Sequence, residues 1–500
     1  MKLNIPIFFL LITAFTLSPA LYACSEDDND IPEKEEQTDD ETENTTKVNA
    51  VTNLKASQTE KANELLISWD NAANVTTVEL SWWPENAEES EASTTNVSIF
   101  SGIKKERRIT VSEYGTYYIG AVAIDKDGNR SEKVKVKGTP AEKDFRMDWS
   151  ELADSCTYVL IEQFMDKEKG TFWSTPHDIN HDSEFIYWQQ AHAMDVVIYS
   201  YERIKDLDPE RASAYENYFR LWYENHANNY HNDPTDETGF LNDFTDDMCW
   251  ICLTLIHMTE ATGNNLYMET AKKVYDNYII TRAWTDNRGT GLPWKIDDSN
   301  RNACTNAPGC LIAAKLYLKY GNENYLENAK TLYRYVMDNL EEGNGKIEEP
   351  PLTYTQGTFG EACRQLYHAT GESHYMKNAE EAIIYGLTSD RCTSNGILRH
   401  EGESMDQSIF KAVLIPYAVN LSLDKSAQTS VRSQIYTCIE QNAETLRHHL
   451  DRSQWPAMYC NYFWGETFPK DGTGSMGAQT SGASLMEGAA RLIPSPDSEE

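Results

Sequence analysis

Three stretches of the chain carry the same punctuation: "LIHMTEATGNNLYMETAKKVYDNYI" (Leu255–Ile279), "KLYLKYGNENYLENAKTLYRYVMDNL" (Lys315–Leu340) and "QLYHATGESHYMKNAEEAIIYGL" (Gln365–Leu387). Each has a glycine (263, 321, 371), a tyrosine four residues later (267, 325, 375) and an alanine eight later (271, 329, 379). Glycine ends a helix readily in the left-handed conformation, and a Tyr and an Ala four apart share one helical face. The repeat therefore specifies a helical hairpin with a tight turn. Such a hairpin cannot bury its apolar stripe alone, so copies must stack on one another.

Helical periodicity runs from Phe145 onward. It predicts helices near 147–166, 184–205, 210–229, 245–262, 264–281, 303–320, 323–342, 357–370, 373–387, 405–423, 427–449 and 476–492. Twelve helices make six hairpins, which predicts an (α/α)6 toroid over residues 145–495 in a mainly α protein. An open solenoid is the alternative. Connections within hairpins are short: "DLDP", "GNN", "GNE" and "GES". Those between hairpins are long: 167–183, 230–244, 282–302, 343–356, 388–404 and 450–475. The long ones are expected to emerge on one face. They carry Trp173, Trp284, Trp294, Tyr354, Trp455, Tyr459, Tyr462 and Trp464 among Asp, Asn, Gln and Arg. Long loops of this kind are usually functional. Aromatic rings beside amides and carboxyls suit a carbohydrate, although many such rings only anchor loops.

Residues 48–140 read differently. "VTNLKAS", "ELLISWD", "VTTVELSWW", "ERRITVS", "TYYIGAVAID" and "KVKVKG" are short, rich in β-branched or aromatic residues and separated by turns. With Trp69 early and Tyr117/Tyr118 late, they resemble a fibronectin type III-like β-sandwich. Trp82 and Trp83 are candidates for a sugar platform, but core packing is expected for at least one. "GTPAEKD" follows as a linker.

At the N-terminus, Lys2 and the apolar run Ile5–Leu17 form a signal segment over residues 1–23, too short for a convincing membrane span. "LYAC" (Leu21–Cys24) resembles a bacterial lipobox, which implies lipidation at Cys24. Residues 24–47 hold eleven acids, two lysines and no aromatic, an acidic tether without the apolar surface to fold. An acidic run behind a lipidated cysteine also resembles the surface-export signal of some Gram-negative lipoproteins. The expected location is therefore the outer-membrane cell surface, with the membrane reached through the lipid. Beyond Cys24 nine cysteines remain, an odd and loosely spaced set that argues against a disulfide framework. Cys249 and Cys252 read as a buried thiol pair.

The formal charge is 44 − 79 = −35. Such a surface repels phosphate backbones and polyanionic substrates, so a neutral ligand is favoured over nucleic acid.

Where the fourth helical segment begins, "GFLNDFTDDMCW" (Gly239–Trp250) sets Asp246 beside Asp247. One reading is plain: acids in a first helical turn gain from free N–H groups and the macrodipole, with Asp243 or Thr245 as the cap. The other is glycoside hydrolysis, which needs two carboxyls flanking an anomeric carbon, roughly 5–5.5 Å apart in retaining enzymes. Adjacent helical residues diverge by about 100°, which permits that separation. Like charges in proximity also raise one pKa, as a general acid requires.

Six stretches taken in order resemble glycoside hydrolase family 76: "YWQQAHAMDVVIYSYE" (Tyr187–Glu202), "FTDDMCWICLTL" (Phe244–Leu255), "NACTNAPGCLIAAKLYLKYG" (Asn302–Gly321), "YTQGTFGEACRQLYHATG" (Tyr354–Gly371), "MDQSIFKAVLIPY" (Met405–Tyr417) and "AQTSGASLMEGAARL" (Ala478–Leu492). The resemblance implies an (α/α)6 fold and a retaining, endo-acting hydrolysis of α-1,6-linked mannan without cofactor or metal. Carried onto this chain, it makes Asp246 the nucleophile and Asp247 the acid/base. Trp188, Trp250, Trp294, Asn302, Asn306, Tyr354, Gln356 and Asp406 are the candidates for binding sugar, several of them equally suited to capping or core roles. His192 reads as structural. The acid-rich "HNDPTDETGFLND" lacks the ordered ligand spacing of a calcium loop. Two rival functions stand beside hydrolysis: a non-catalytic glycan-binding lipoprotein, and a transglycosylase on mannan-type glycans. Nothing in the sequence demands more than a monomer.

Overall fold

The computed structural model describes residues 47–493, apart from 60–62, 100–105, 113–114, 141–147, 182–185, 227–235, 349, 351 and 452–453. The signal segment, Cys24 and the tether up to residue 46 lie outside the described residues.

Twelve helices are described from Trp149 onward: α1 (Trp149–Phe164), α2 (Trp188–Ile204), α3 (Pro209–Asn225), α4 (Thr245–Thr262), α5 (Asn265–Val274), α6 (Ala303–Tyr320), α7 (Glu323–Asn339), α8 (Thr353–Thr370), α9 (Ser373–Thr388), α10 (Met405–Leu423), α11 (Thr429–His449) and α12 (Met476–Leu492). The even-numbered helices touch in the order α2, α4, α6, α8, α10, α12, and α12 packs back on α2. That last contact closes the ring and decides for a toroid over an open solenoid. The odd-numbered helices lie outside, each against an inner neighbour. Five hairpins follow the chain, and the sixth pair joins its two ends, since α1 packs on α12.

Burial follows from this arrangement. An inner helix has neighbours on both sides and a partner behind it, so it is apolar or small all round. In α12 every residue from Met476 to Ala489 is buried. Its small residues let neighbouring chain come close: a Cβ on Gly482 would lie 2.3 Å from the sulfur of Cys460. Outer helices bury one stripe only. In α7 that stripe includes Tyr325, Leu326, Ala329, Leu332, Tyr333 and Val336. The Tyr and Ala of each repeat are buried in all three copies, as Tyr267/Ala271, Tyr325/Ala329 and Tyr375/Ala379. Covering one large side chain in this way contributes about 1.5–3 kcal/mol. Gly263, Gly321 and Gly371 each cap an inner helix at φ 77°, 65° and 75°.

The inner helices all run the same way, so their N-termini share one face. The long connections enter on that face and the tight glycine turns lie on the other. α2, α3 and α8 each have one bound four residues from the expected one, and α5 ends earlier still. α8 starts at Thr353, where a distant carboxylate, Glu401, accepts from the Thr353 N–H at 2.9 Å. α5 gives way to a single π-turn over Tyr275–Ile279.

N-terminal to the helices, seven strands form two antiparallel sheets: β1 (Thr52–Gln58), β2 (Glu64–Asp70), β3 (Val75–Pro84), β4 (Ser93–Ser98), β5 (Glu106–Thr110), β6 (Tyr117–Asp125) and β7 (Val134–Gly138). The sheet orders are β1-β2-β5 and β4-β3-β6-β7. Leu65, Ile67 and Trp69 of the first sheet meet Val78, Leu80 and Ile119 of the second in one core. Of the two adjacent tryptophans, Trp83 is buried against Tyr118 (5.6 Å between ring centres) and Trp82 is half-buried. Of the nine described cysteines, eight are buried. No helix among the described residues is long and apolar enough to cross a membrane.

Candidate active site

The inner-helix N-termini surround a cavity of about 420 Å³, lined by Trp188, Gln189, Phe244, Asp246, Asp247, Trp250, Trp294, Tyr354, Met405, Asp406 and Phe410. Asp246 and Asp247 occupy the first turn of α4. The cap position is Phe244, which gives no side-chain bond, so neither Asp243 nor Thr245 caps this helix. Arg282 fixes the approach instead. Its guanidinium donates to the carbonyls of Asn242 (2.7 Å) and Asp243 (3.0 Å) and to Thr245 Oγ1 (3.2 Å).

The two carboxyls have different surroundings. Asp246 Oδ2 accepts from Trp294 Nε1 at 3.1 Å and from the Cys304 thiol at 3.5 Å. Asp246 Oδ1 accepts from the Asp247 backbone N–H at 3.1 Å. Backbone bonds bring Trp294 there: the Thr245 N–H donates to the Trp294 carbonyl (2.8 Å), and the Ile296 N–H to that of Asp243 (2.8 Å). Asp247 Oδ2 accepts only a longer bond from the Asn242 amide, at 3.3 Å.

Burial raises both carboxyl pKa values. At Asp246 the thiol, the backbone N–H and the indole N–H oppose the rise. At Asp247 the charges of Asp246 and Asp406 add to it, and only Asn242 opposes. Asp246 is pushed up to about 7 and Asp247 well above the usual carboxylate range, so of the two Asp247 holds its proton the longer.

Asp406, in the first turn of α10, is held from across the cavity. Its Oδ1 accepts from Trp188 Nε1 at 3.0 Å and from the Gln189 amide. The floor is aromatic: Tyr354 stacks on Phe410 (4.3 Å), Trp250 lies 5.9 Å from Tyr354, and Trp188 lies 6.2 Å from both Trp250 and Phe410. His192 packs edge-on beneath Trp188 and Trp250, 5.3 and 5.1 Å from their ring centres, which is a supporting role.

The structure thus gathers Asp246, Asp247, Trp188, Trp250, Trp294, Tyr354 and Asp406 at one cavity. Three expected sugar contacts lie elsewhere. Asn306 is fully buried and clamps the preceding loop, donating to the Leu292 carbonyl (3.0 Å) and accepting from its N–H (2.8 Å). Gln356 does the same to Ile347, donating at 2.8 Å and accepting at 3.4 Å. Both are fourth residues of inner helices. Gln479, fourth in α12, likewise accepts from the Cys460 N–H (2.9 Å) and donates to the Cys156 carbonyl (2.9 Å). The amides of Asn306 and Gln356 satisfy buried loop backbone and that of Gln479 joins a loop N–H to an α1 carbonyl, which leaves no group for a sugar. Asn302 accepts from Thr305 Oγ1 (2.9 Å) at the start of α6 and does not line the cavity.

Gln189, Phe244, Met405, Phe410 and Cys304 are the contributors that sequence reasoning missed. Phe410 follows Asp406 by one helical turn, as Trp250 follows Asp246. That spacing is the signal that would have found it.

A ring of inner helices whose N-termini hold a carboxyl pair over an aromatic floor defines a carbohydrate-processing (α/α)6 protein. Glycosyl hydrolase family 76 matches residues 148–494, and the chain belongs to that family. Among solved structures, the GH76A α-1,6-mannanase of Salegentibacter sp. HEL1_6 is 27% identical with a TM-score of 0.60, covering 69% of this chain and 100% of that one. An inactive variant of that enzyme, with two consecutive aspartates changed to alanine, is in complex with α-1,6-mannotetrose. A family 76 hydrolase from a bovine Bacteroides thetaiotaomicron strain shares the fold at 16% identity and a TM-score of 0.55, covering 89% of this chain and 99% of that one. No curated protein sequence matches the chain.

Proposed function

We propose that the chain is a retaining endo-α-1,6-mannanase in which Asp246 is the nucleophile and Asp247 the acid/base. The observation that carries this reading is the unequal environment of the pair. Asp246 has three donors that favour its charged form, and Asp247 sits against two carboxylates that favour its protonated form. The inactivated aspartate pair of the Salegentibacter relative supports the assignment. The family-matched stretch holds two Asp-Asp pairs, 246–247 and 297–298, and only the first lines the cavity.

In the first step Asp246 Oδ attacks the anomeric carbon as the C1–O6 bond breaks, and Asp247 gives its proton to the departing O6. A covalent mannosyl ester on Asp246 results. Asp247, now charged, takes a proton from water, whose oxygen attacks C1 and releases Asp246. Two inversions leave the product in the α configuration. The aromatic floor excludes water and offers faces to the CH groups of the sugar, and Asp406 is placed to accept from its hydroxyls.

The strand order of the N-terminal sheets supports a fibronectin type III-like domain. "LYAC" and the acidic tether support a lipid-anchored protein of the outer-membrane surface.

Reducing-end release from unbranched α-1,6-mannan tests the reading. Wild type is expected to cut, and Asp246→Asn and Asp247→Asn to lose at least 1,000-fold of the rate. Cleavage persisting in both variants would return the pair to helix decoration. Binding without cleavage by wild type would favour a glycan-binding role.

A further inference from the structure

We propose that the cleft between the sandwich and the toroid is a second site for neutral glycan, which holds a distant segment of the same polymer that the active site cuts. The inference rests on the mannanase reading for its ligand and on separate observations for its place. The cleft has a volume of about 430 Å³, close to the roughly 420 Å³ of the catalytic cavity. Trp82, Thr110 and Ser112 line it from the sandwich, and Ser155 and Trp455 from the toroid.

Trp455 lies in connection 450–475, one of the long loops of the catalytic face, and is 47% exposed. Tyr158 stacks against one face of its ring at 5.3 Å and 17°, and is itself 42% exposed. An indole backed on one side and open on the other, at the wall of a concavity, is a platform for the CH face of a pyranose. Leaving such a surface to water costs about 25 cal/mol per Å². Across the gap, Trp82 ends the inward stripe of β3 (Val78, Leu80, Trp82) and reaches the sandwich rim half-buried. Thr110, Ser112 and Ser155 add hydroxyls to the same lining. Among the described residues the cleft's charged wall residue is Glu91, and the chain carries −35 overall, which turns away an anionic ligand. Aromatic faces and hydroxyls, with no cation among the described lining residues, together describe an uncharged polyol, and the polymer at hand is mannan.

The experiment compares polymer with short substrate, using the mature chain and its Trp455→Ala and Trp82→Ala variants. Kinetics are measured on unbranched α-1,6-mannan and on α-1,6-mannotetraose. Each variant is expected to raise KM on the polymer roughly tenfold, the effect of losing about 1.4 kcal/mol of stacking. Hydrolysis of the tetrasaccharide should stay at the wild-type level, which also reports an intact fold. Polymer binding by the chain carrying Asp246→Asn and Asp247→Asn should weaken on adding Trp455→Ala. Unchanged polymer KM in both tryptophan variants overturns the inference and leaves the mannanase reading standing. An equal loss on both substrates overturns it too, because the residues would then act through the active site. If wild type cuts neither substrate, the functional reading fails and the inference falls with it.

Discussion

Replacing Trp294 by phenylalanine removes one atom group that matters, the indole N–H at 3.1 Å from Asp246 Oδ2. A ring remains to pack edge-on against Phe244, 5.3 Å away in the native protein. The backbone bonds of residue 294 to Thr245 and Asn300 are untouched. A hydrogen bond to a charged group is worth about 1.5–3 kcal/mol, so its loss raises the nucleophile pKa by roughly one to two units. The sign follows from the role. Asp246 must be charged to attack, and losing a donor disfavours the charged form. The acidic limb of the kcat/KM profile should therefore move to higher pH by that amount, with activity at pH 5 falling at least tenfold. The limb belongs to the coupled pair, so both of its macroscopic pKa values are followed. The assay is reducing-end release from α-1,6-mannan across pH 4–9, with thermal unfolding as control. A variant of native stability whose acidic limb does not move would refute the reasoning that Trp294 holds Asp246 charged.

Cys304→Ala should act in the same direction but less, about two- to fivefold in kcat/KM, because a thiol at 3.5 Å is a weak donor. Cys304→Ser should restore most of the rate, and equal losses in both would assign the thiol a packing role. Gly371→Ala should lower the unfolding free energy in urea by about 1 kcal/mol without changing kcat. Its φ of 75° strains any side chain, while nothing crowds the added Cβ. Asp195 is buried, which opposes ionisation, yet His257 at 3.0 Å and His192 hold its pKa down at about 2. A depressed carboxyl stabilises above its unfolded value and loses that contribution as pH falls through its folded one. Asp195→Asn should thus cost about 2–3 kcal/mol at neutral pH and flatten the loss of stability between pH 4 and 2.

The toroid was legible because its local chemistry and its packing agree. The repeated Gly, Tyr and Ala mark turn and buried stripe, and those marks need no distant partner. Closure is expected from the count of six hairpins and the family resemblance, with an open solenoid as the alternative. Whether α12 returns to α2 depends on small rotations summed over six hairpins, and the repeat reads the same in an open array. At the site, the Asp pair suits helix decoration as well as catalysis until the family resemblance is weighed, and Trp188 and Trp250 suit the core as well as a cavity wall. Asn306 and Gln356 sit at loop–helix junctions, but their amides are taken up by Leu292 and Ile347, partners visible only once the loops fold back. Phe410 and Met405 escaped notice because they sit in the apolar helix "MDQSIFKAVLIPY", where a cavity wall and a core residue look alike.

The central claim is that Asp246 and Asp247 perform a double displacement on α-1,6-mannan. Proton NMR of the first product from the unbranched polymer tests it most directly, followed before mutarotation scrambles the anomers. The account predicts an α-anomeric reducing end appearing first, with the β form growing in later. A β-anomer appearing first would mean a single displacement and would contradict the assignment of Asp246 as nucleophile.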